Sequence, residues 1–187
     1  MGARLRETTL SVLSNMQLLH LYVSPGHNYF GHHGQLPGEH PMLEVQSVHC
    51  VAGAGIHGDR FFNYKENYKG QITFFDEEVY QSLCREFGIQ DKPASVFRRN
   101  VLVRGTRLSD LIGQEFQIQD IRFFGVEECK PCYWMDHAFC PGAEQALKGR
   151  GGLRARIVTS GVLRVTRRTQ NVDDLFRVYT SPHLVAA

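Results

Sequence analysis

The sequence predicts a mainly β protein: a closed or partly open antiparallel β-barrel with one principal helix and short helical attachments. Three observations carry this expectation. About seven or eight short stretches alternate apolar with polar residues, or run apolar between turn residues, which is the signature of strands. Most of these stretches are joined by short turn-like segments, as in hairpins. Only one stretch has a sustained helical period with a start and a stop signal, and many strands with one helix argue for a barrel with attachments.

The elements follow in order. Residues 1–15 are weakly patterned and are expected as a short helix or a disordered lead-in. Residues 17–23 read as the first strand, ended by Ser24, Pro25 and Gly26. The next segment, residues 27–41, is a long loop holding His27, His32, His33 and His40. The His32-His33 pair invites a metal, while a polar loop is the plainer alternative; an ordered loop of this length is expected to rim a site. Residues 43–51 alternate and read as a second strand. The glycines of 52–58 resemble a dinucleotide-binding turn, but no helix follows them, which excludes that assignment. Gly58-Asp59-Arg60 reads as a tight turn, in which Arg60 either forms an ion pair or faces a ligand.

Residues 70–75 form a strand that leads into the helix at 76–88. Asp76 is a natural N-cap, Glu77 and Glu78 suit the positive end of the helix dipole, and Gly88 suits the C-terminal stop. Val79, Leu83 and Phe87 share one face, with Cys84 beside it as packing. After a connector, residues 98–105 form a strand led by Arg98, Arg99 and Asn100, which places donors at a strand entrance where a loop-lined pocket belongs. Residues 108–113 are a turn or helical loop, and 115–118 with 121–126 form a hairpin about Gln119-Asp120. A short helix at 142–148 is closed by Gly149, Arg150-Gly151-Gly152 is a cationic loop, and 153–158 with 161–166 read as a further hairpin about Thr159-Ser160. Residues 171–187 carry few signals and are expected to be peripheral.

The chemistry concentrates at residues 127–136, which hold Cys129, Cys132 and Trp134, the only tryptophan. Three chemistries compete there. A Cys-x-x-Cys pair opening a helix would be a disulfide oxidoreductase site, but Pro141 and Gly142 cut short any helix that follows. Cys129, Cys132, His137 and Cys140 would make a compact zinc knuckle with unusually tight ligand spacing. A single exposed cysteine would hold sulfur or ligate a soft metal. Lys130 favours a thiolate, and Glu127 and Glu128 oppose it. Set against all three is the plain fate of cysteine, burial as a small apolar side chain.

The whole chain narrows the choice. At 187 residues one domain spanning 1–187 is expected, large enough for a core without staples. Five scattered cysteines, an odd number, suit a reducing compartment, and the opening residues lack an apolar run with a cleavage site, so a cytoplasmic protein is expected. No window is apolar enough to span a bilayer, so no membrane association is expected. A net charge of +2 is too small to imply nucleic acid.

Gly58-Asp59-Arg60, residues 70–74, Arg98-Arg99-Asn100-Val101, Leu111-Ile112-Gly113, the Cys129-x-Pro131-Cys132 element and residues 151–155 together resemble the MOSC family, also found at the C-terminus of molybdenum cofactor sulfurases. The likeness covers about residues 43–166 and rests on the order of the motifs. It implies a β-barrel of the MOSC or PK type and the molybdopterin form of the molybdenum cofactor. Cys132 maps onto the cysteine that carries sulfur as a persulfide or ligates molybdenum, with Cys129 a helper or bystander. Arg99 and Asn100 match the family's arginine-asparagine element, and Arg98 stands beside it as a secondary candidate. Arg60, Arg99 and Arg154 are the candidates for the cofactor's phosphate, together with Gly58 and Asp59 of the turn. Some relatives reduce N-hydroxylated compounds, which implies a small-molecule substrate and an electron-donor protein; the sulfur-carrier role implies a sulfur acceptor instead. Pyridoxal phosphate is not expected, since no aminotransferase-like segment is present. The competing class is a non-catalytic binding module stabilised by zinc on Cys129, Cys132, His137 and Cys140.

Overall fold

Alternation along β6 (Ile72–Asp76) and β7 (Val101–Arg104) explains how one sheet comes to support two cores. Side chains of a strand point to opposite faces in turn. Ile72 and Phe74 with Val101 and Val103 enter one core, while Phe75 and Leu102 enter another on the opposite face. The computed structural model describes residues 11–12 and 16–166.

Besides these two strands the chain forms β1 (Ser11–Val12), β2 (Gln17–Val23), β3 (Leu43–Val45), β4 (Ser47–Val51), β5 (Gly55–Ile56), β8 (Glu115–Ile118), β9 (Ile121–Glu128), β10 (Leu153–Ile157) and β11 (Gly161–Arg164). Its helices are α1 (Glu77–Phe87), α2 (Trp134–Ala138) and α3 (Ala143–Ala146), with 3-10 turns at Ala94–Phe97 and Leu108–Leu111. Eight strands form one sheet in the order β1-β8-β9-β10-β6-β7-β2-β3, and three form a second, β11-β4-β5. The first core is shared by the two sheets, with Val48, Cys50, Ile56 and Leu163 of the smaller one meeting Leu21, Phe74, Phe123 and Ala155 of the larger. The second core lies between the outer face of the larger sheet and the helices, through Phe75, Leu83, Phe97, Trp134 and Phe139.

The mainly β class with few helices holds, but the closed antiparallel barrel requires correction. Among the described residues the hydrogen-bond ladder stops at β1 and β3 and at β11 and β5, so these sheets do not close. The pairing is also mixed. β6 and β7 run parallel, Phe74 opposite Val101, because α1 and the 94–97 turn carry the chain back over the sheet; parallel neighbours need such a crossover. β1 pairs with β8 in parallel too. The predicted hairpin about Thr159-Ser160 does not form. β10 pairs with β9 and β6, whereas β11 pairs with β4 in the other sheet. Thr159 accepts a hydrogen bond from Arg122 N–H at 2.8 Å and Ser160 one from Ala52 N–H at 2.9 Å, so these residues carry the chain between sheets. Likewise the stretch 43–51 is two strands, divided at Gln46, one in each sheet.

The helix and the strand expected at 17–23 (β2) lie where their residues place them, whereas Ser11–Val12, expected within a helical or disordered lead-in, pairs with β8 as β1; the rest of that lead-in and the tail 171–187 lie outside the described residues. Asp76 caps α1 by accepting from Glu78 N–H at 2.8 Å, and Gly88 ends it in the left-handed region at φ 65. Leu83 is fully buried, with Val79, Phe87 and Cys84 packed around it. Among the described residues no helix is long and apolar enough to cross a membrane.

Candidate active site

Where the outer face of β6 meets the loops that follow β2 and β9, the surface opens into a cleft of about 370 Å³. Cys129, Lys130 and Cys132 form one wall, Arg60 and Arg99 with Arg154 and Thr73 another, and His27 to Gly31 with His33 a third. A cleft of this size suits a small molecule or cofactor.

The two cysteines differ sharply. Cys132 is exposed, whereas Cys129 is 2 % exposed, with its thiol pKa raised by burial against the opposing pull of Arg99 and Arg154. The difference follows from the backbone. Cys129 N–H donates to Gly152 O at 2.8 Å and its carbonyl accepts from Arg99 Nη2 at 3.3 Å, which holds it against the sheet. Cys132 lies beyond Pro131 on the way to α2, where its carbonyl accepts from Met135 N–H at 2.8 Å. Its side chain is left facing the cleft.

The arginines are held by carbonyl groups. Arg99 donates from Nε to Gly151 O at 3.1 Å and from Nη1 to Phe97 O at 2.8 Å, in addition to Cys129 O. Three of its five N–H donors are thereby used and two remain for a ligand. Arg154, on β10, makes a loose contact with Glu127 at 3.7 Å and pulls on the Cys129 thiol, and among the described residues it is held less firmly than Arg60, Arg98 or Arg99. Arg60 is tied down: its Nη1 meets Asp59 at 3.2 Å and its Nη2 donates to Arg98 O at 3.0 Å, with burial lowering its pKa. Both alternatives read for Arg60 thus coexist, since it forms the ion pair and lines the cleft. Arg98, at φ 55 where non-glycine residues seldom sit, donates to His40 O, Ser24 Oγ and Gly26 O at 2.7–2.9 Å. Burial, and then Arg60, bring its pKa down to about 10. Its role is to fasten the ends of the histidine loop.

Asp59 and Asn100 sit behind the cleft. Asp59 accepts from Ser24 N–H, Phe61 N–H, Asn100 Nδ2 and Arg60, all at 3.1–3.2 Å. Asn100 also donates to Tyr22 O and accepts from the Thr73 N–H and hydroxyl. These two residues set where Arg60 and Thr73 stand, and Gly58, at φ 82, supplies the turn that delivers Asp59. The zinc arrangement is not assembled: among the described residues no group of three or more His, Cys, Asp and Glu could hold a metal. Cys140 packs against the second core and His137 lies beside Trp134 at 5.7 Å.

The MOSC domain model matches residues 32–170. The chain belongs to the MOSC domain family. The fold agrees. YuaD from Bacillus subtilis shares 16% identity and a TM-score of 0.62, over 80% of this chain and 91% of that one. YiiM from Geobacillus stearothermophilus shares 14% and 0.58, over 91% and 94%. A hypothetical protein of known structure shares 16% and 0.58 over 80% of this chain, which spans 64% of that longer chain. A search of curated proteins returns no match.

The MOSC match begins at residue 32, inside the histidine loop, eleven residues earlier than the motifs alone reach. That loop does rim the cleft. Asn28 fastens its base through both its side-chain oxygen and nitrogen to His40, Tyr29 stacks on Trp134 at 4.9 Å, and His33 Nδ1 meets Tyr133 Oη at 3.0 Å. The sequence carries no spacing that announces Tyr29, Tyr133, Thr73 or the aromatic wall of Phe61 and Tyr68. Tyr29, Phe61 and Tyr68 are brought to the cleft by loops distant in the chain, Thr73 by β6, while Tyr133 stands behind it against His33.

Proposed function

We propose that this MOSC domain binds the molybdenum cofactor, with Cys132 as the molybdenum ligand, and reduces N-hydroxylated small molecules with electrons from a partner protein. The single observation that supports the reading most is the exposed Cys132 thiol sharing one cleft with Arg99, Arg154 and Lys130. A soft thiolate suits molybdenum in its dithiolene setting, and spare guanidinium donors suit a phosphate. The donor set therefore fits the cofactor: Arg154 and the two free N–H groups of Arg99 would hold its phosphate, and Cys132 its metal. Bound there, the cofactor supplies two-electron chemistry at the metal.

The chain's own residues bind, orient and shield. Lys130 and Arg154 add positive charge to the wall that would meet an anionic ligand. Phe61 and Tyr68, stacked at 5.1 Å, make a water-excluding wall beside Arg154. The overall reaction is N–OH plus two electrons and two protons, giving N–H and water. A second reading, Cys132 as a persulfide carrier that passes sulfur to an acceptor, rests on the same exposed thiol.

Protein purified from a host that makes the pterin tests the proposal. Molybdenum with a fluorescent oxidised pterin is expected, and Cys132→Ser should lose turnover while keeping its unfolding midpoint. Stoichiometric zinc, with Cys132→Ser unfolding as a structural ligand would, overturns it.

A further inference from the structure

One wall of the cleft keeps a large apolar ring in solvent. Phe30 lines the cleft and is 56% exposed, although phenylalanine is among the side chains most often buried. Its placement is built. Residues 29–32 form a tight turn, closed by His32 N–H donating to Tyr29 O at 3.1 Å, and Gly31 at φ 83 supplies the left-handed third residue that such a turn requires. Tyr29 stacks on Trp134 at 4.9 Å and anchors the turn, which leaves Phe30 at its tip.

Phe30 meets its neighbours without stacking on any of them. Phe61 and Tyr64 lie at ring distances of 6.3 and 5.8 Å with their planes 70° and 90° from its own, and His27, at 5.2 Å, is tilted by 46°. Phe61 by contrast is engaged already: it stacks with Tyr68 at 5.1 Å and carries the Arg60 guanidinium 5.1 Å from its centroid. Among the described residues lining the cleft, Phe30 is the one carbocyclic aromatic ring that is exposed. Burial, and then Arg60, lowers the pKa of His27, so it adds an uncharged ring beside Phe30 near neutral pH. A flat, uncharged group suits this surface. Laid against Phe30, it covers apolar area now in water and gains the contacts of an aromatic pair. Phe30 also precedes the MOSC match, which begins at residue 32, so the ring lies outside the matched segment.

We infer that Phe30 is a specificity-determining residue that receives an aryl group of the substrate, so that the site prefers N-hydroxylated compounds with an aromatic body, such as aryl amidoximes, to aliphatic ones with the same head group. The preference in turnover rests on the reductase reading above; the aryl contact itself does not.

Two measurements test this. In cofactor-free protein with ¹³C-labelled phenylalanine, benzamide and acetamide serve as uncharged probes with an aryl and an alkyl body. Benzamide should shift the Phe30 ring signals and bind about 10-fold more tightly than acetamide, the order expected of an aromatic contact with the area it covers. Phe30→Ala should remove that advantage, and Phe30→Leu, which keeps apolar bulk without the ring, should restore only part of it. Since Phe30 is exposed, neither variant should move the unfolding midpoint. Equal binding of the two probes, or an advantage that survives in Phe30→Ala or returns whole in Phe30→Leu, overturns the aryl contact. In molybdenum-loaded protein with reduced methyl viologen as electron source, Phe30→Ala should lower kcat/KM for benzamidoxime about 10-fold, chiefly through KM, and leave acetamidoxime unchanged. An equal loss for both substrates, or no loss, overturns the specificity role. A loaded wild type that turns over neither substrate, yet binds benzamide at Phe30, overturns the reductase reading and leaves the aryl contact standing.

Discussion

Cys129 and Cys132 are three positions apart and occupy opposite environments, which makes thiol reactivity a direct measure of the site. Burial raises the pKa of Cys129, and the thiolate is the reactive form. Brief treatment of native protein with iodoacetamide should therefore modify Cys132 and spare Cys129, Cys50 and the partly buried Cys84 and Cys140, as peptide mass mapping will report. Modification of Cys129 at the rate of Cys132 would contradict the geometry of the cleft. At this scale the sequence was legible in part. That Cys132, Arg60, Arg99 and Arg154 line one cleft agrees with the grouping expected from motif order. The division of labour did not, because whether a guanidinium faces a ligand or a carbonyl depends on loops far away in the chain: Arg98 is spent on His40, Ser24 and Gly26, none of which its neighbours in sequence foreshadow.

At the scale of elements, the loop 150–152 decides how close β10 brings the arginines to the cysteine wall. Gly151 lies against the carbonyl of Cys129, and a Cβ there would fall inside contact distance of that oxygen and 3.3 Å from Pro131 Cδ. Its N–H donates to Glu128 at 3.0 Å and its carbonyl accepts from Arg99. Gly151→Ala should destabilise the fold by about 1–3 kcal/mol, the usual range for overpacking. It should also raise the alkylation rate of Cys129 by pushing the 129–132 segment outward. Chemical denaturation and mass mapping check the two effects; a variant indistinguishable from wild type in both would show that the contact relaxes freely. Local signals located the elements around this loop well, with α1 bounded by its Asp76 and Gly88 caps and β8–β9 by their turn. They failed for partner choice. Alternation fixes which face of a strand is buried and says nothing of which strand lies beside it, so β10 and β11 looked like a hairpin when each belongs to a different sheet.

Across the whole molecule, one sheet separates two cores, and only one of them supports the cleft. Phe74 packs with Phe116 and Phe123 at 5.9 and 5.6 Å in the core between the sheets. Phe75, its neighbour, packs on Phe97 at 4.8 Å, and Phe97 on Phe139 at 4.9 Å, beneath the helices. Phe97 lines the cleft and its carbonyl holds Arg99; Phe75 also approaches Gly152, whose carbonyl holds Cys129 N–H. Both phenylalanines are at most 1 % exposed, so alanine at either should cost about 3–5 kcal/mol. Their consequences for the site should nonetheless differ. Phe75→Ala removes the support beneath Arg99 and Cys129, so Cys129 should become reactive at denaturant concentrations well below the unfolding midpoint, through local opening. In Phe74→Ala the same thiol should react only in step with global unfolding, because its surroundings are intact until the sheets part. Alkylation rate against urea for the two variants decides the matter, and coincident curves would mean that the two cores unfold as one unit and that the cleft has no support of its own.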